Sequence, residues 1–231
     1  MTDLRVDWCS HEAAKYAIMH WHYSKTMPVG KLAKFGVWES GSYIGAIVFG
    51  YSNNQHQGAA WGLTQFEACE LLRVALTRHQ SQVSQIVALA LRFLCKQSPG
   101  LRLVLSYADP AHNHHGGIYQ ALNWTYIGTG GSTNAFRLIE SGKLVHSRNV
   151  SPTGSKVNFG TSSRCYMPHE VESVDLLPKH KYLYPLDRAM RRQITPLAKP
   201  YPKRICGPSV ESDTAGVQLA EAGAPPAGRS E

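Results

Sequence analysis

The chain is 231 residues long, 43% hydrophobic, and carries a formal charge of +8 at pH 7. That is enough apolar material for a packed core, in one domain with an extension or in two small domains. No run approaches the roughly 18 apolar residues of a membrane span, so a membrane-spanning helix is excluded.

LRVDW (4–8) reads as a short strand. Ser10 can cap the helix that follows, HEAAKYAIMHW, where Ala14, Ala17, Ile18 and Trp21 fall at helical spacing. The polar loop HYSKTMP leads to KFGVWE and YIGAIVFGY, two strands around the turn ESGS. Residues 51–66, rich in Asn, Gln and Gly, read as a loop. ELLRVAL (70–76) is a strand, and SQVSQIVALALRFLCKQ (81–97) is a helix capped by Ser81 and stopped by Ser-Pro-Gly. LRLVLSYA (101–108) is a buried strand, GGIYQALN a short helix, WTYIGTG a strand, and AFRLIE with KLVHSR a last hairpin. The order β-α-β-β-β-α-β-α-β, then a hairpin, predicts a mixed α/β sheet of the α+β kind over residues 1–150, with a β-α-β crossover in its middle.

Beyond 150 the character changes. SPTGSKVNFGTSSRC reads as irregular, and KHKYLYPLDRAMRRQITPLAKPYPKR interleaves tyrosine, proline and basic residues. Residues 141–206 hold 12 Lys and Arg against 4 Asp and Glu, whereas residues 1–140 hold 11 against 8. Residues 151–206 are therefore expected to be a basic extension facing a polyanion, most simply nucleic acid; a solvated face serving only solubility is the plainer alternative. Residues 207–231, rich in Gly, Ala and Pro, are expected to be a disordered tail. The opening MTDLRVDW lacks the pattern of a signal peptide, and the five cysteines form no CxxC pair. The expected compartment is the cytoplasm.

The strand order resembles the GNAT acyltransferase fold, in which two central strands splay apart around an acyl donor. ELLRVAL and LRLVLSYA would be those strands, and IYQALNWTYIG (118–128) is similar to that fold's ending, where a tyrosine stands beside the leaving atom. One departure is plain. TRHQSQVSQ (77–85) occupies the place of the pyrophosphate loop but has no glycine to let phosphate approach the backbone amides. Three phrases, HYSKTMPVGKLAKFGVWESGSYIGAIVFG, FEACELLRVALTRH and SYADPAHNHHGGIYQALNW, in this order closely resemble the Mom family of bacteriophage DNA-modification proteins, over about residues 10–206. That resemblance implies transfer of a carbamoylmethyl group to N6 of adenine in double-stranded DNA, inside the host bacterial cytoplasm, protecting phage DNA from restriction. The rival readings are a GNAT-type transferase acting on a protein or small-molecule amine, and a non-catalytic DNA-binding protein.

The resemblance carries over to particular residues. Asp109, just past a buried strand, can orient or deprotonate a weakly nucleophilic adenine amine; in isolation it is an Asp-Pro turn. Tyr119 can donate a proton to a leaving group; otherwise it is a core tyrosine. His22, Tyr23 and Ser24 lie where substrate-handling residues map, with Tyr23 able to stack on a flipped base. Ser106 is a weaker candidate. Leu72, Val74 and Leu76 would line the donor, and Arg78 and His79 would meet its phosphates. For the histidine-rich stretch, a two-His-one-carboxylate iron site from His22, Asp109 and one of His112 or His115 stays open beside the main reading, a catalytic loop; His114 sits in the same run. Lys179, Lys181, Arg188, Arg191, Arg192, Lys199, Lys203 and Arg204 are the DNA candidates. Tyr182, Tyr184 or Trp21 would hold the extruded base. The donor is acetyl-CoA or glycyl-tRNA: a glycyl group on N6 is an isomer of the carbamoylmethyl product. The partners expected are double-stranded DNA and, with the second donor, tRNA, with no membrane. The oligomeric state is left open, a dimer included.

Overall fold

The structure, a computed structural model, describes residues 3–51, 56–130, 134–145, 147–158 and 161–203. It opens with β1 (Leu4–Trp8), α1 (His11–Trp21), β2 (Leu32–Glu39), β3 (Ser42–Gly50), β4 (Ala68–Leu76), α2 (Val83–Gln97), β5 (Leu103–Ala108), α3 (Gly117–Ala121) and β6 (Thr125–Gly130). It continues with β7 (Asn134–Leu138), β8 (Leu144–Val145), β9 (Ser155–Asn158), β10 (Thr161–Arg164), β11 (Val171–Asp175), β12 (Lys179–Pro185) and α4 (Arg188–Ile194). This is the mixed α/β sheet expected from the sequence.

Seven strands form the main sheet in the order β1-β2-β3-β4-β5-β12-β6. Every pairing in it is antiparallel except β4 with β5. The β2–β3 turn has Ser40 at φ 50° and Gly41 at φ 79°, the left-handed pair that suits the twist of a two-residue hairpin. The Ser10 hydroxyl accepts the Ala13 N–H at 3.0 Å, so α1 starts as its cap predicts. α2 buries Ile86, Val87, Ala90, Leu91 and Leu94 against one face of the sheet, and each large side chain there contributes about 1.5–3 kcal/mol relative to exposure. α1 covers the other face through Ala14, Ala17 and Ile18 against Ala46, Val48 and Ala75. Met190 and Ile194 of α4 cover Leu103, Leu105 and Leu183.

Three expectations are corrected. Residues 151–206 are not a separate extension: β12 lies inside the main sheet, between β5 and β6, and its Tyr182 and Leu183 are fully buried. A strand with two occupied edges and a buried centre belongs to the core, so position 150 is no boundary. The segment read as irregular contains the β9–β10 hairpin, and β7 and β8 pair with β11 in a second, three-stranded sheet. Ser81 does not cap α2. The helix begins at Val83 behind Gln82, which makes no side-chain cap, and Ser81 is engaged by Glu39. Arg204 and the tail 207–231 lie outside the described residues. Among the described residues no helix is long and apolar enough to cross a membrane.

Candidate active site

The site begins where β4 and β5 part. The two parallel strands pair at Ala68–Leu103, Cys69–Val104 and Glu70–Leu105, and no further. At the fork, the Ser106 hydroxyl, only 1% exposed as a residue, donates to the Leu71 carbonyl at 3.0 Å. Its oxygen lies 2.8 Å from the Tyr119 hydroxyl. Each hydroxyl has one proton and the carbonyl can only accept. With every group satisfied, Tyr119 donates to Ser106 and Ser106 to Leu71. Burial pushes the Tyr119 phenol up to about 12, against the lowering effect of Ser106 and with smaller upward contributions from Tyr23, Glu70 and Tyr182. At neutral pH it is a proton donor.

A cavity of about 290 Å³ opens beside this fork, lined by Tyr107, Ala108, residues 113–117, Ile118 and Tyr119. Tyr107 and Tyr119 come from opposite faces of the sheet. Tyr107 shares the face of Leu105, in the α4 core, whereas Tyr119 packs against the α2 core. Gly116, at φ 83°, has no room for a Cβ, which would overlap the Tyr182 ring. The close approach fixes the loop against β12: Tyr182 donates to the His115 carbonyl at 2.6 Å, and the Gln120 amide reaches the same carbonyl at 3.0 Å.

A β-bulge shapes the α1 side. Phe49 pairs with Leu71 and Val48 with Arg73, leaving Leu72 as the extra residue. The shift turns Arg73 onto the α1 face while Val74 and Leu76 stay packed on the α2 core. Arg73 donates to the Leu72 carbonyl at 2.7 Å and to the Thr26 carbonyl at 3.3 Å, tying β4 to the loop after α1. That loop presents Tyr23, 53% exposed. Its ring lies 4.3 Å from His22, 4.5 Å from His112 and 5.2 Å from His114, centroid to centroid. His22 Nδ1 is 2.8 Å from the Ser24 hydroxyl. Burial first, then Arg73, His114 and His112, lower His22 to about 4, so it is neutral at pH 7. The four rings make an open aromatic wall beside the fork.

Asp109 ends β5 next to this wall, beside the cavity but not lining it. Its carboxylate accepts from Lys179 Nζ at 3.0 Å and from the Ala111 N–H at 3.0 Å. Burial acts to raise it, but Lys179, the Ala111 amide and His112 outweigh burial and hold it below the usual range. Held this way it is suited to accepting hydrogen bonds and unsuited to taking a proton.

The iron reading does not fit. Among the described residues no three His, Cys, Asp or Glu side chains gather as metal ligands. Asp109 faces Lys179, His22 faces Ser24, and His112 leans on Tyr23. The donor residues also divide. Arg78 is exposed, and His79 Nδ1 is bonded to the Ser81 carbonyl at 2.7 Å. The N–H groups of Gln80 and Ser81 both donate to Glu39, at 2.8 Å each, so a carboxylate of the protein itself occupies the amides ahead of α2. Tyr182 and Tyr184 are corrected as base-holding candidates: Tyr182 is fully buried, and Tyr184 packs on Trp124, as suits strand residues facing a core. Trp21 packs beside Tyr43 and Tyr16 along α1.

The basic residues separate into three groups. Lys179 and Lys181 point into the site region, Lys181 with its ammonium 4.8 Å from the Trp61 ring centroid. Arg188, Arg191 and Arg192 line the exposed side of α4, opposite Met190 and Ile194. Lys199 and Lys203 are exposed on the segment that crosses β6, where the Lys199 N–H donates to the Tyr126 carbonyl at 2.8 Å. The sequence reading missed Glu70, Arg73, Gln57 and Tyr107. The signal for two of them was the ELLR of β4, two charges inside an otherwise apolar strand.

The sequence pattern of the Mom protein family matches residues 3–203. The chain belongs to that family. A curated relative, the methylcarbamoylase mom of Escherichia phage Mu, is 26% identical over 208 residues, covering 87% of this chain and 84% of that protein. Solved structures with a similar shape include an IAA acetyltransferase from Bacillus cereus, 12% identical, TM-score 0.42, covering 79% of this chain and 99% of the other. FeeM, an N-acyl amino acid synthase from uncultured soil microbes, is 13% identical, TM-score 0.44, covering 84% of this chain and 94% of the other. Within the family member described here, the phrases HYSK, ACELLRVAL and SYADPAHNHHGGIYQ form the aromatic wall, the parted strand and the cavity rim.

Proposed function

We propose that this protein modifies adenine in double-stranded DNA, placing a carbamoylmethyl group on N6 and so shielding phage DNA from restriction. The observation that carries the reading is the exposed ring of Tyr23 against three imidazoles, set beside a fork whose far side holds a buried phenol, in a Mom-family chain. A base in a duplex reaches such a wall only by leaving the stack, at a cost of a few kcal/mol. Stacking on Tyr23 offsets part of that cost, and phosphate contacts from Arg188, Arg191 and Arg192 supply more. Asp109, held by Lys179, accepts a hydrogen bond from the amine and orients it. Tyr119 protonates the leaving atom, and Ser106 steadies the phenolate.

The donor reading follows the chemistry of the entrance. Gln80 and Ser81 already give their amides to Glu39, which favours a donor not anchored through a pyrophosphate there. A glycyl ester carried by tRNA meets that condition, and rearrangement of an N6-glycyl group gives the carbamoylmethyl isomer without a further nitrogen source. Acetyl-CoA is the competing donor. Mass spectrometry of nucleosides from cells expressing the protein tests the function. The DNA of wild-type-expressing cells should yield deoxyadenosine heavier by one C2H3NO unit, and Tyr119→Phe should lower the yield by about 100-fold or more. Unmodified DNA in wild-type cells, or full yield from Tyr119→Phe, overturns the reading.

A further inference from the structure

The β9–β10 hairpin joins neither larger sheet, and a lone two-stranded ribbon is marginal without support at its base. Here the base is built. The Ser151 side chain is buried, and its hydroxyl donates to the Ser155 carbonyl at 2.9 Å. The Cys165 N–H donates to the Gly154 carbonyl at 2.8 Å, and the Tyr166 N–H to the Asn149 carbonyl at 2.7 Å. Along the ribbon Val157 stands opposite Ser162 and Ser155 opposite Arg164, so alternation puts these four on one face. All four are exposed, Val157 at 69%. Among the described residues Arg164 closes no ion pair. The surrounding stretch, residues 141–169, holds Lys143, Arg148, Lys156 and Arg164 and not one Asp or Glu.

We propose that this face of the β9–β10 hairpin docks in the major groove of duplex DNA and reads the bases beside the adenine being modified. The proposal rests on the reading of the chain as one that modifies adenine in duplex DNA. The partner follows from charge and shape. A ribbon free of acids and carrying a free guanidinium suits a polyanion. The major groove of B-DNA admits a two-stranded ribbon, whereas that of an A-form RNA helix is deep and narrow, which selects DNA over RNA. The residue types match that groove: Arg164 can bridge a guanine edge, Ser155 and Ser162 can bond bases or phosphates, and Val157 can meet a thymine methyl. The adenine N6 amine lies in the same groove. The hairpin also belongs to the correct end of the molecule. Lys179, which holds Asp109, pairs with Gly130 at the end of β6. Four residues beyond each of these, Asn134 pairs with Asp175, a span of at most about 14 Å. The second sheet thus grows from the end of the main sheet that carries Asp109, and the hairpin hangs from it between β8 and β11.

Fluorescence anisotropy measures full-length wild type, Arg164→Ala and Val157→Asp on a DNA duplex of mixed sequence, and dimethyl sulfate maps the guanine N7 atoms that each protein covers. Both substitutions fall on exposed positions and should keep the melting temperature. Each should weaken duplex binding by about 10-fold or more and uncover guanines that the wild type protects. An RNA duplex of the same sequence should compete at least about 10-fold less well. Variants that bind and protect as the wild type does overturn the proposal, and so does an RNA duplex that competes as well as DNA. Protection lost in both variants, while DNA from wild-type-expressing cells carries no adenine adduct, upholds the hairpin's role and overturns the modification reading instead.

Discussion

Ser106→Ala tests the hydroxyl relay at the fork. The change removes the acceptor of the Tyr119 proton and the donor to the Leu71 carbonyl, both in a place where water does not substitute, since Ser106 is 1% exposed. Two neutral buried hydrogen bonds at about 1 kcal/mol each give a loss of roughly 2 kcal/mol. For a domain of this size that corresponds to a fall of about 4–8 °C in melting temperature. Activity should fall further than stability requires. When Tyr119 gives up its proton, Ser106 turns its own hydrogen to the phenolate, a bond to a charged acceptor worth about 1.5–3 kcal/mol. Its loss slows transfer by roughly 10- to 150-fold. Because Ser106 lowers the Tyr119 phenol, its removal sends that group above its present value of about 12. Thermal unfolding and single-turnover adduct formation measure the two effects, with Tyr119→Phe and the double variant closing a cycle. A melting temperature within a degree of wild type, together with additive kinetic effects in the double variant, would refute the relay.

Lys179→Met should free Asp109 from its cation. The folded Asp109 lies below its ordinary range, so the pair's contribution is complete above the unfolded value of about 3.9 and is lost as pH falls through the lower folded value. Urea unfolding should therefore separate variant from wild type at neutral pH, by no more than about 1 kcal/mol because Lys179 is 40% exposed, and the two should converge in acid. Replacing Arg188, Arg191 and Arg192 together by Ala should reduce the slope of log affinity for duplex DNA against log salt by about 2.7, with the melting temperature unchanged. An unaltered slope would mean that α4 carries solvated charge only.

Periodicity and turn chemistry made most of the main sheet legible. Two apolar strands around ESGS, the amphipathic helix behind Ser10, and the long apolar helix between ELLRVAL and LRLVLSYA each form from contacts local in sequence. Tyr119 after the glycine pair and Asp109 past a buried strand were singled out by the family resemblance; local pattern alone reads Asp109 as an Asp-Pro turn and leaves Tyr119 open between a core tyrosine and an acid. Convergence was not legible. KHKYLYP looks like a basic, aromatic linker because its lysines and tyrosines alternate; only pairing with β5 and β6, far away along the chain, makes it a core strand that brings Lys179 to Asp109. Glu70 and Arg73 look like two charges on opposite faces of a strand. The bulge at Leu72 puts both on one face, and a bulge is decided by the register against β3. The sequence by itself determined most of the strands and helices up to residue 130, since those depend on neighbours within a few residues. Which charges meet was decided by the order and register of the sheet, because those are set by pairings between segments tens of residues apart.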